Sequence, residues 1–330
     1  MSLGTVTTNL ITYVKRDENF GREKMNDIAA GIVLYNPDDL QRFYNSLQSV
    51  VCQFSKVYLF DNSTEKIEYL PFEDNVVYLT EHMNLGIAYA LNRMMELADK
   101  DGYKWLVTID QDSILPDDMV SAYREHIHDA DVAIICPQVI DKRRAYMTLK
   151  TEPAEEFVDE CITSGSCTSI EAWKELGKFD EWLFIDLVDN EFCKRAIVSG
   201  YKILQLNSLV MNQEFGKIIP KPERIQRFWL KVAKLLHNKN FSKFSYKKFV
   251  SPARVYYTNR NIIYVNRKLA NYGSTAYQNY NCKGYLGFWI SFNFPSFLRA
   301  QDKKAVWSAI WKGRRDGLNK HVERWVVQEK

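Results

Sequence analysis

The six cysteines, Cys52, Cys136, Cys161, Cys167, Cys193 and Cys282, include no Cys-x-x-Cys pair. Thiols scattered in this way suit a reducing cytoplasm better than a disulfide frame or a zinc site. Charge of one sign is also missing. Basic residues number 44 and acidic ones 41, a formal net charge of +3, which is too small to argue for nucleic acid. There is no internal repeat and no low-complexity tract. The first thirty residues lack an apolar core flanked by positive charge, so no secretory signal is expected. Met1-Ser2-Leu3 reads as an expression scar at the head of an N-terminal arm, residues 1–26, and Met25 is an alternative natural start. No long hydrophobic run is present either. The least charged stretch, Gly284 to Leu298, is broken by Asn293 and Pro295 and is short for a membrane span. A packed helix is expected there, with attachment to a membrane surface as the second reading.

What is present is a chain of 330 residues, 46% hydrophobic, enough for one core domain with an appendage. From Asp27 to about Pro137, short β-rich runs alternate with longer helical ones. Strands are expected at Ile28–Tyr35, Lys56–Phe60, Asn75–Leu79, near Trp105–Asp110 and at Ala133–Cys136. A helix should start at Pro37-Asp38-Asp39 with Leu40, Phe43, Leu47 and Val50-Val51 as its apolar face, and another should run from Gly86 to Lys100. This alternation predicts an α/β fold, a mostly parallel Rossmann-like sheet with right-handed crossovers and flanking helices. Residues 138–219 mix short strands with helices at Ile170–Gly177 and near Asp189, where Phe192, Cys193, Ala196 and Ile197 share a face. Residues 220–330 form a basic, aromatic helical extension.

The run Trp105-Leu-Val-Thr-Ile-Asp-Gln-Asp-Ser113 ends an apolar strand in two carboxylates one residue apart. The carboxyl end of a strand in an α/β sheet opens into the ligand crevice. Strand alternation points Asp110 and Asp112 the same way, so both could face one hard cation, Mg²⁺ or Mn²⁺, whose shell is completed by substrate phosphates. A solvated turn is the plainer reading of the same residues. Two other loops follow the same plan. Asp61-Asn62-Ser63 follows the second strand and is either an Asx turn or a place where Asp61 accepts hydrogen bonds from a nucleobase or ribose. Asn84-Leu85-Gly86 brings a glycine to a helix entrance, where backbone can approach a ligand closely, with Asn84 as helix cap the alternative.

Together, Tyr35-Asn36-Pro37, Asp61-Asn62-Ser63, Asn84-Leu85-Gly86 and Asp110-Gln111-Asp112 resemble the GT-A-type family 2 glycosyltransferases. The downstream order strengthens this: Ser164-Gly165-Ser166 before a helix, Gly177-Lys-Phe-Asp180-Glu181, then Phe184-Ile-Asp-Leu-Val-Asp-Asn-Glu-Phe-Cys-Lys-Arg195. The resemblance implies a GT-A core over 27–219, with a nucleotide-sugar half (27–137) and an acceptor half (138–219). It places Tyr35, Asn36, Asp61, Asn84, Gly86 and Asp110 on the donor. It gives the metal to Asp112, with Asp110 helping. Ser164, Gly165, Trp182 and Glu191 fall on the acceptor side. Asp189 becomes the catalytic base, with Asp186 as alternative and Glu191 and Arg195 in support. Asp-Gln-Asp-Ser, Phe-Ile-Asp, Arg254-Val-Tyr-Tyr-Thr-Asn-Arg-Asn261 and Trp311-Lys-Gly-Arg-Arg-Asp-Gly-Leu318 look like the bacterial rhamnosyltransferase subgroup. Arg254 to Asn261 also reads as a plain basic helix and is kept out of the site.

Two positions depart from the family pattern. Val188 replaces the acid that usually precedes the base, and Gln213 stands where a histidine commonly helps hold the metal. An amide oxygen is a weaker ligand for such a cation. The expected activity is inverting, metal-dependent sugar transfer, with L-rhamnose from dTDP-rhamnose favoured, onto a glycan or lipid-linked acceptor in surface polysaccharide synthesis. A UDP-hexose or UDP-galactofuranose donor is one alternative. A degenerate nucleotide-sugar or glycan binder is another, and no nucleic acid partner is expected in any case. Such an enzyme would work in the cytoplasm, where its basic extension could touch the inner face of the plasma membrane.

Overall fold

The computed structural model describes residues 27–64, 73–214 and 216–328. The N-terminal arm, with both candidate starts, lies outside the described residues. The strands β1 (Ile28–Leu34), β2 (Val57–Asp61), β3 (Val76–Thr80) and β4 (Trp105–Asp110) pair in parallel in the spatial order β3-β2-β1-β4. Apolar runs of this kind fit a parallel sheet covered on both faces, and their alternation divides the core. Ile28, Ala30, Ile32 and Leu34 of β1 face α1 (Leu40–Val51) and α3 (Met119–Arg124), together with Val107 and Ile109 of β4. Ala29, Tyr58, Phe60 and Leu106 face α2 (Ile87–Lys100) on the other side.

The sheet continues through β5 (Val132–Ile140), β6 (Glu155–Phe157), β7 (Cys167–Ser169) and β8 (Lys202–Asn212) in the order β4-β7-β5-β8-β6. β5 and β8 are parallel, while β7 and β6 run against their neighbours. Helices α4 (Ile170–Glu175) and α5 (Val188–Val198) add Trp173, Phe192 and Ala196 to the α2 side of the core. Three expectations shift. Leu40 is 47% exposed, because the cap is Asp39, whose carboxylate accepts from the Arg42 amide and leaves Leu40 outward at the first turn. Ser164–Ser166 leads into β7 before the helix begins. The fourfold division of the chain also cuts elements, since 137/138 falls inside β5 and 219/220 inside β9 (Ile218–Pro220).

The C-terminal part shares the same core. After β9 come α6 (Glu223–Leu235), β10 (Tyr246–Lys248), which pairs with β9, and α7 (Pro252–Lys268). α7 buries Ile262, Ile263, Tyr264 and Val265 against the α2 layer. Gly284 to Leu298 is helical: Tyr285–Phe288, a π-helical turn Trp289–Asn293 and Phe294–Arg299. No helix among the described residues is long and apolar enough to cross a membrane. The last helix, α8 (Lys303–Asn319), lies on α7.

The contact between α7 and α8 is made at backbone distance. A Cβ at Gly313 would stand 2.3 Å from the Tyr256 carbonyl oxygen, and one at Gly317 2.5 Å from that of Arg260. Arg267 then closes the end of α8, its guanidinium donating to the carbonyls of Gly317, Leu318 and Lys320 at 2.8–3.0 Å. Alanine ordinarily stabilises a helix interior over glycine by about 0.5–1 kcal/mol. Here the expected sign is reversed: Gly313→Ala should destabilise the chain by about 1–3 kcal/mol through overpacking, read from the denaturant midpoint. A rise in stability would show that the two helices part without loss.

Candidate active site

The carboxyl ends of the parallel strands line one edge. Leu34, Asp61 and Thr80 stand in register, and Asp110 pairs with Val33 beside them. β4 ends at Asp110, and Asp112 lies in the turn that follows, closed by the Ser113 amide donating to the Asp110 carbonyl at 3.1 Å. The two carboxylates are therefore brought together by a turn and not by strand alternation. Burial and the charge of Asp112 push the Asp110 carboxyl up to about 6. Gln213, just past β8, donates its side-chain nitrogen to the Asp110 carboxylate, and its oxygen is buried without a partner. An orphaned carbonyl oxygen beside two carboxylates, of which Asp112 has only Arg42 at 3.8 Å, is a hard-oxygen set that fits a divalent cation. No group of three or more acidic, histidine or cysteine side chains that could hold a metal occurs among the described residues, so a cation here would take these three groups and complete its shell with ligand or water. Arg42 braces the turn, donating to the Asp112 carbonyl at 3.1 Å.

Several residues expected on the donor or acceptor are instead internal braces. Asp61 is fully buried, its oxygens taken by the Ser63 amide at 2.8 Å and the Tyr78 hydroxyl at 2.7 Å. The Asx turn is formed, and each carboxylate oxygen carries one internal hydrogen bond. Asn84 accepts from the Gly86 amide at 3.0 Å in a turn of its own. Gly86, at φ +90°, does need a bare backbone, but the close approach is to Phe184, 2.7 Å from where its Cβ would stand. The Ile87 amide at the head of α2 donates to the Phe184 carbonyl at 2.6 Å, so that helix end is already filled. Ser164 accepts from the Asp110 amide at 3.1 Å, and the Gly165 carbonyl accepts from Tyr123 at 2.6 Å, so both lie behind the carboxylate turn. Only Tyr35 and Asn36 stay exposed at the edge, tied by their amides to Gln111 and Ser63.

Asp189 lies in the first turn of α5, immediately after a strained loop. Phe184 sits at φ +58°, ψ −60°, the rare positive-φ γ-turn, with the Ile185 amide donating to the Leu183 carbonyl at 2.6 Å. Asp186 and Leu187 follow at φ +69° and +64°, so Leu187 caps the helix and Asp189 does not. Strain of this order, about 1–3 kcal/mol per residue, persists only where the surroundings over-determine it. α7 supplies them. The Asn261 side-chain amide donates to the carbonyls of Leu183, Ile185 and Asp186, each at 2.8 Å. Arg260 donates to the Trp182 and Leu183 carbonyls, and Tyr257 stacks on Phe184 at 4.7 Å. Arg254 pairs with one Asp186 oxygen, and Thr258 donates to the other at 3.2 Å.

Arg254 to Asn261, held out of the site on sequence grounds, is thus its clamp. Arg254 is also near enough to Asp110 to favour that carboxylate. Burial pushes the Asp189 carboxyl up to about 7, with Asp186 and Cys161 adding to the rise, and only the neighbouring Asn190 amide occupies an oxygen. Burial also holds Asp186 above its ordinary value, against Arg254.

Glu191 and Trp182, expected on the acceptor side, both make internal contacts. Glu191 is fully buried and pairs with Arg195 at 2.7 Å and Lys268 at 2.7 Å, and Arg195 also ties down the Leu176 and Lys178 carbonyls. Trp182 is sandwiched by Arg260, 4.0 Å from the ring centre, and Tyr264 at 4.4 Å. Asn92 on α2, which carried no sequence signal beyond its polarity, joins the halves by bonds to Phe179, Glu181 and Trp173. A cavity of about 760 Å³, lined by Asp27, Lys104 and Ser169 among others, lies at the amino ends of β1 and β4, away from these carboxylates.

Residues 31–164 match the family model for glycosyl transferase family 2. The dTDP-rhamnosyl transferase RfbF of Shigella flexneri is 26% identical over 208 residues, 58% of this chain and 70% of that protein. Among solved structures, the chain is similar to GalNAc-T7 crystallised with UDP, GalNAc and Mn²⁺, at a TM-score of 0.50 and 12% identity over 82% of this chain. It spans 57% of that protein's length, and the likeness shows the fold alone. Residues 1–349 of S. aureus TarS superpose at a TM-score of 0.45 and 11% identity, over 88% of this chain and 89% of that one.

The clamp makes a direct prediction. Asn261→Ala takes the side-chain donor from the Ile185 and Asp186 carbonyls, while Leu183 keeps Arg260 and the Ile185 amide, and each buried unpaired group costs about 1–3 kcal/mol. A loss of about 2–4 kcal/mol in urea unfolding is expected, once partial rehydration is allowed for. A loss below about 0.5 kcal/mol would mean that the loop holds its own shape.

Proposed function

The chain carries a family 2 glycosyltransferase domain in the GT-A fold and resembles the rhamnosyl transferases, and from that premise we propose that it is an inverting, metal-dependent transferase. In this reading it moves L-rhamnose from dTDP-rhamnose onto a glycan or lipid-linked acceptor in surface polysaccharide synthesis, at the cytoplasmic side of the membrane. The observation that carries the reading is that Arg254 pairs with Asp186 at 2.5 Å, in the loop that leads to Asp189, and is near enough to Asp110 to favour its carboxylate. A nucleoside diphosphate leaves with negative charge. A divalent cation bound by Asp110, Asp112 and the Gln213 oxygen would neutralise that charge. Tyr35 and Asn36, exposed at the strand ends, are left to meet the donor.

Asp189 takes the acceptor's hydroxyl proton. A base is most useful when its pKa lies near the working pH, and burial has moved this carboxyl to about 7. Asp186 is the poorer candidate, since Arg254 and Thr258 engage both of its oxygens. One base and one displacement give inversion at the anomeric carbon. The rhamnose assignment is supported by the resemblance to RfbF; a UDP-hexose or UDP-galactofuranose donor remains the rival. A lipid-linked acceptor is supported by a row of exposed apolar side chains, Leu286, Ile290, Phe294 and Leu298, on the helical run 285–299. The second reading, a binder without turnover, is favoured by Gln213 and Val188 at positions where the family pattern has a histidine and an acid.

Nucleoside diphosphate release from a panel of sugar nucleotides, with Mn²⁺, Mg²⁺ or chelator, tests the class. Slow hydrolysis of one donor is expected, abolished by chelator and by Asp112→Ala; metal-dependent nucleotide binding without release from any donor, with or without acceptor, would establish the binder. Asp189→Asn should bind donor as the wild type does and lose transfer by roughly 10²-fold or more. Because the deprotonated carboxylate is the active form, wild-type transfer should rise with pH through about 7, and that limb should vanish in Asp189→Asn. An unchanged pH profile in the variant would remove Asp189 from the role.

A further inference from the structure

We infer that the cavity between β10 and the 294–299 helix binds a phosphate or diphosphate group carried by the acceptor. The cavity measures about 350 Å³ and is lined by Lys221, Lys247, Lys248 and Arg299 around Phe244 and Tyr246, with no acidic side chain in its wall. That volume is within the range of small-molecule sites. What marks it is uncompensated charge. Several enclosed cations elsewhere are paired: Arg195 with Glu191, Lys268 with Asp180 and Glu191, Arg143 and Arg144 with Asp141. Among the described residues, Lys221, Lys248 and Arg299 have no acidic partner.

Lys221 and Arg299 are half-buried in the wall, while Lys247 and Lys248 stand exposed at its rim. Arg299 lies over the Phe244 ring at 5.3 Å, and Arg144 approaches from the other side over Tyr246 at 5.1 Å, donating to its hydroxyl at 3.3 Å. Lys243 stands behind them; burial, then Lys248, Arg299 and Arg144, push its ammonium down to about 8. Like charges held against a concave, partly apolar wall repel one another until an anion joins them, and a guanidinium beside ammonium groups suits phosphate oxygens.

The position assigns the anion to the acceptor. Lys248 ends β10, which runs through Ser251 straight into α7, and Arg254 in the first turn of α7 pairs with Asp186 at 2.5 Å, so the cavity lies at the same end of α7 as the loop that carries Asp189. The donor's diphosphate has its own place at Asp110 and Asp112. An acceptor bearing a phosphate or diphosphate, set here, would bring a neighbouring hydroxyl to the loop. The assignment to the acceptor rests on the transferase reading; the anion site does not.

The test is a calorimetric titration of the full chain with inorganic pyrophosphate in chelator, which silences the carboxylate pair. Wild type should bind, and Asp112→Ala should bind equally well. Lys248→Gln with Arg299→Gln should weaken binding tenfold or more while keeping Mn²⁺-dependent nucleoside diphosphate binding, which also reports that the variant is folded. Lys248→Arg should retain pyrophosphate. No binding by wild type, or an undiminished affinity in the double variant, would overturn the site. Parallel loss in Asp112→Ala would overturn its assignment to the acceptor by marking a donor subsite. A chain that binds pyrophosphate here yet releases nucleoside diphosphate from no donor would keep the site and lose the transferase reading.

Discussion

One side-chain amide sets the shape of the reacting edge. Asn261 spreads its two hydrogens over three carbonyls of a loop in which three residues without glycine's freedom take positive φ. Strain of about 1–3 kcal/mol at each is met by several hydrogen bonds of about 1 kcal/mol and a ring stack worth about the same. The terms are of one order, so the loop stays in this form only while α7 is seated. Asp186 and Asp189 are then held by a helix some seventy residues further along the chain.

The same loop also joins the halves. Phe184 meets Gly86 backbone to backbone and fills the head of α2, while Asn92, one turn further on, holds the segment around Phe179 and Glu181. The buried Glu191–Arg195–Lys268 group lies underneath. Buried ion pairs of this kind add little net stability, but removing one partner leaves an expensive unpaired charge. The group therefore fixes α5 and α7 in a single mutual arrangement. Chemistry at the edge depends on polar groups that no ligand touches.

The strands, the first two helices and the carboxylate turn were legible because their signals are local. Apolar runs such as Ile28–Leu34 show the sheet, and Asp110-Gln111-Asp112 at the end of one shows where the crevice opens. The roles of single polar residues were not legible. Asp61 and Ser164 follow strands just as Asp110 does, and only their partners, Tyr78 in one case and the Asp110 amide in the other, reveal braces. Arg254, Thr258, Arg260 and Asn261 looked like the polar positions of a basic helix, since their partners lie 68 to 78 residues away. The resemblance located the acceptor-side segment, yet it could not separate Glu191, sealed inside, from Asp189, which has an oxygen to spare.

The glycine contact between α7 and α8 bears on how the molecule opens. Local unfolding follows cooperative units, and a segment exchanges its amide hydrogens no more slowly than the unit that holds it. Because Gly313 and Gly317 let α8 lie on the α7 backbone, and α7 holds the loop, the C-terminal helix and the loop that carries Asp189 are expected to open together despite the sequence between them. Fraying at the far end of the chain would thus be felt at Asp189 as a loss of loop geometry, while the sheet that carries Asp110 stayed closed. The two sides of the reacting edge belong to different tiers of stability.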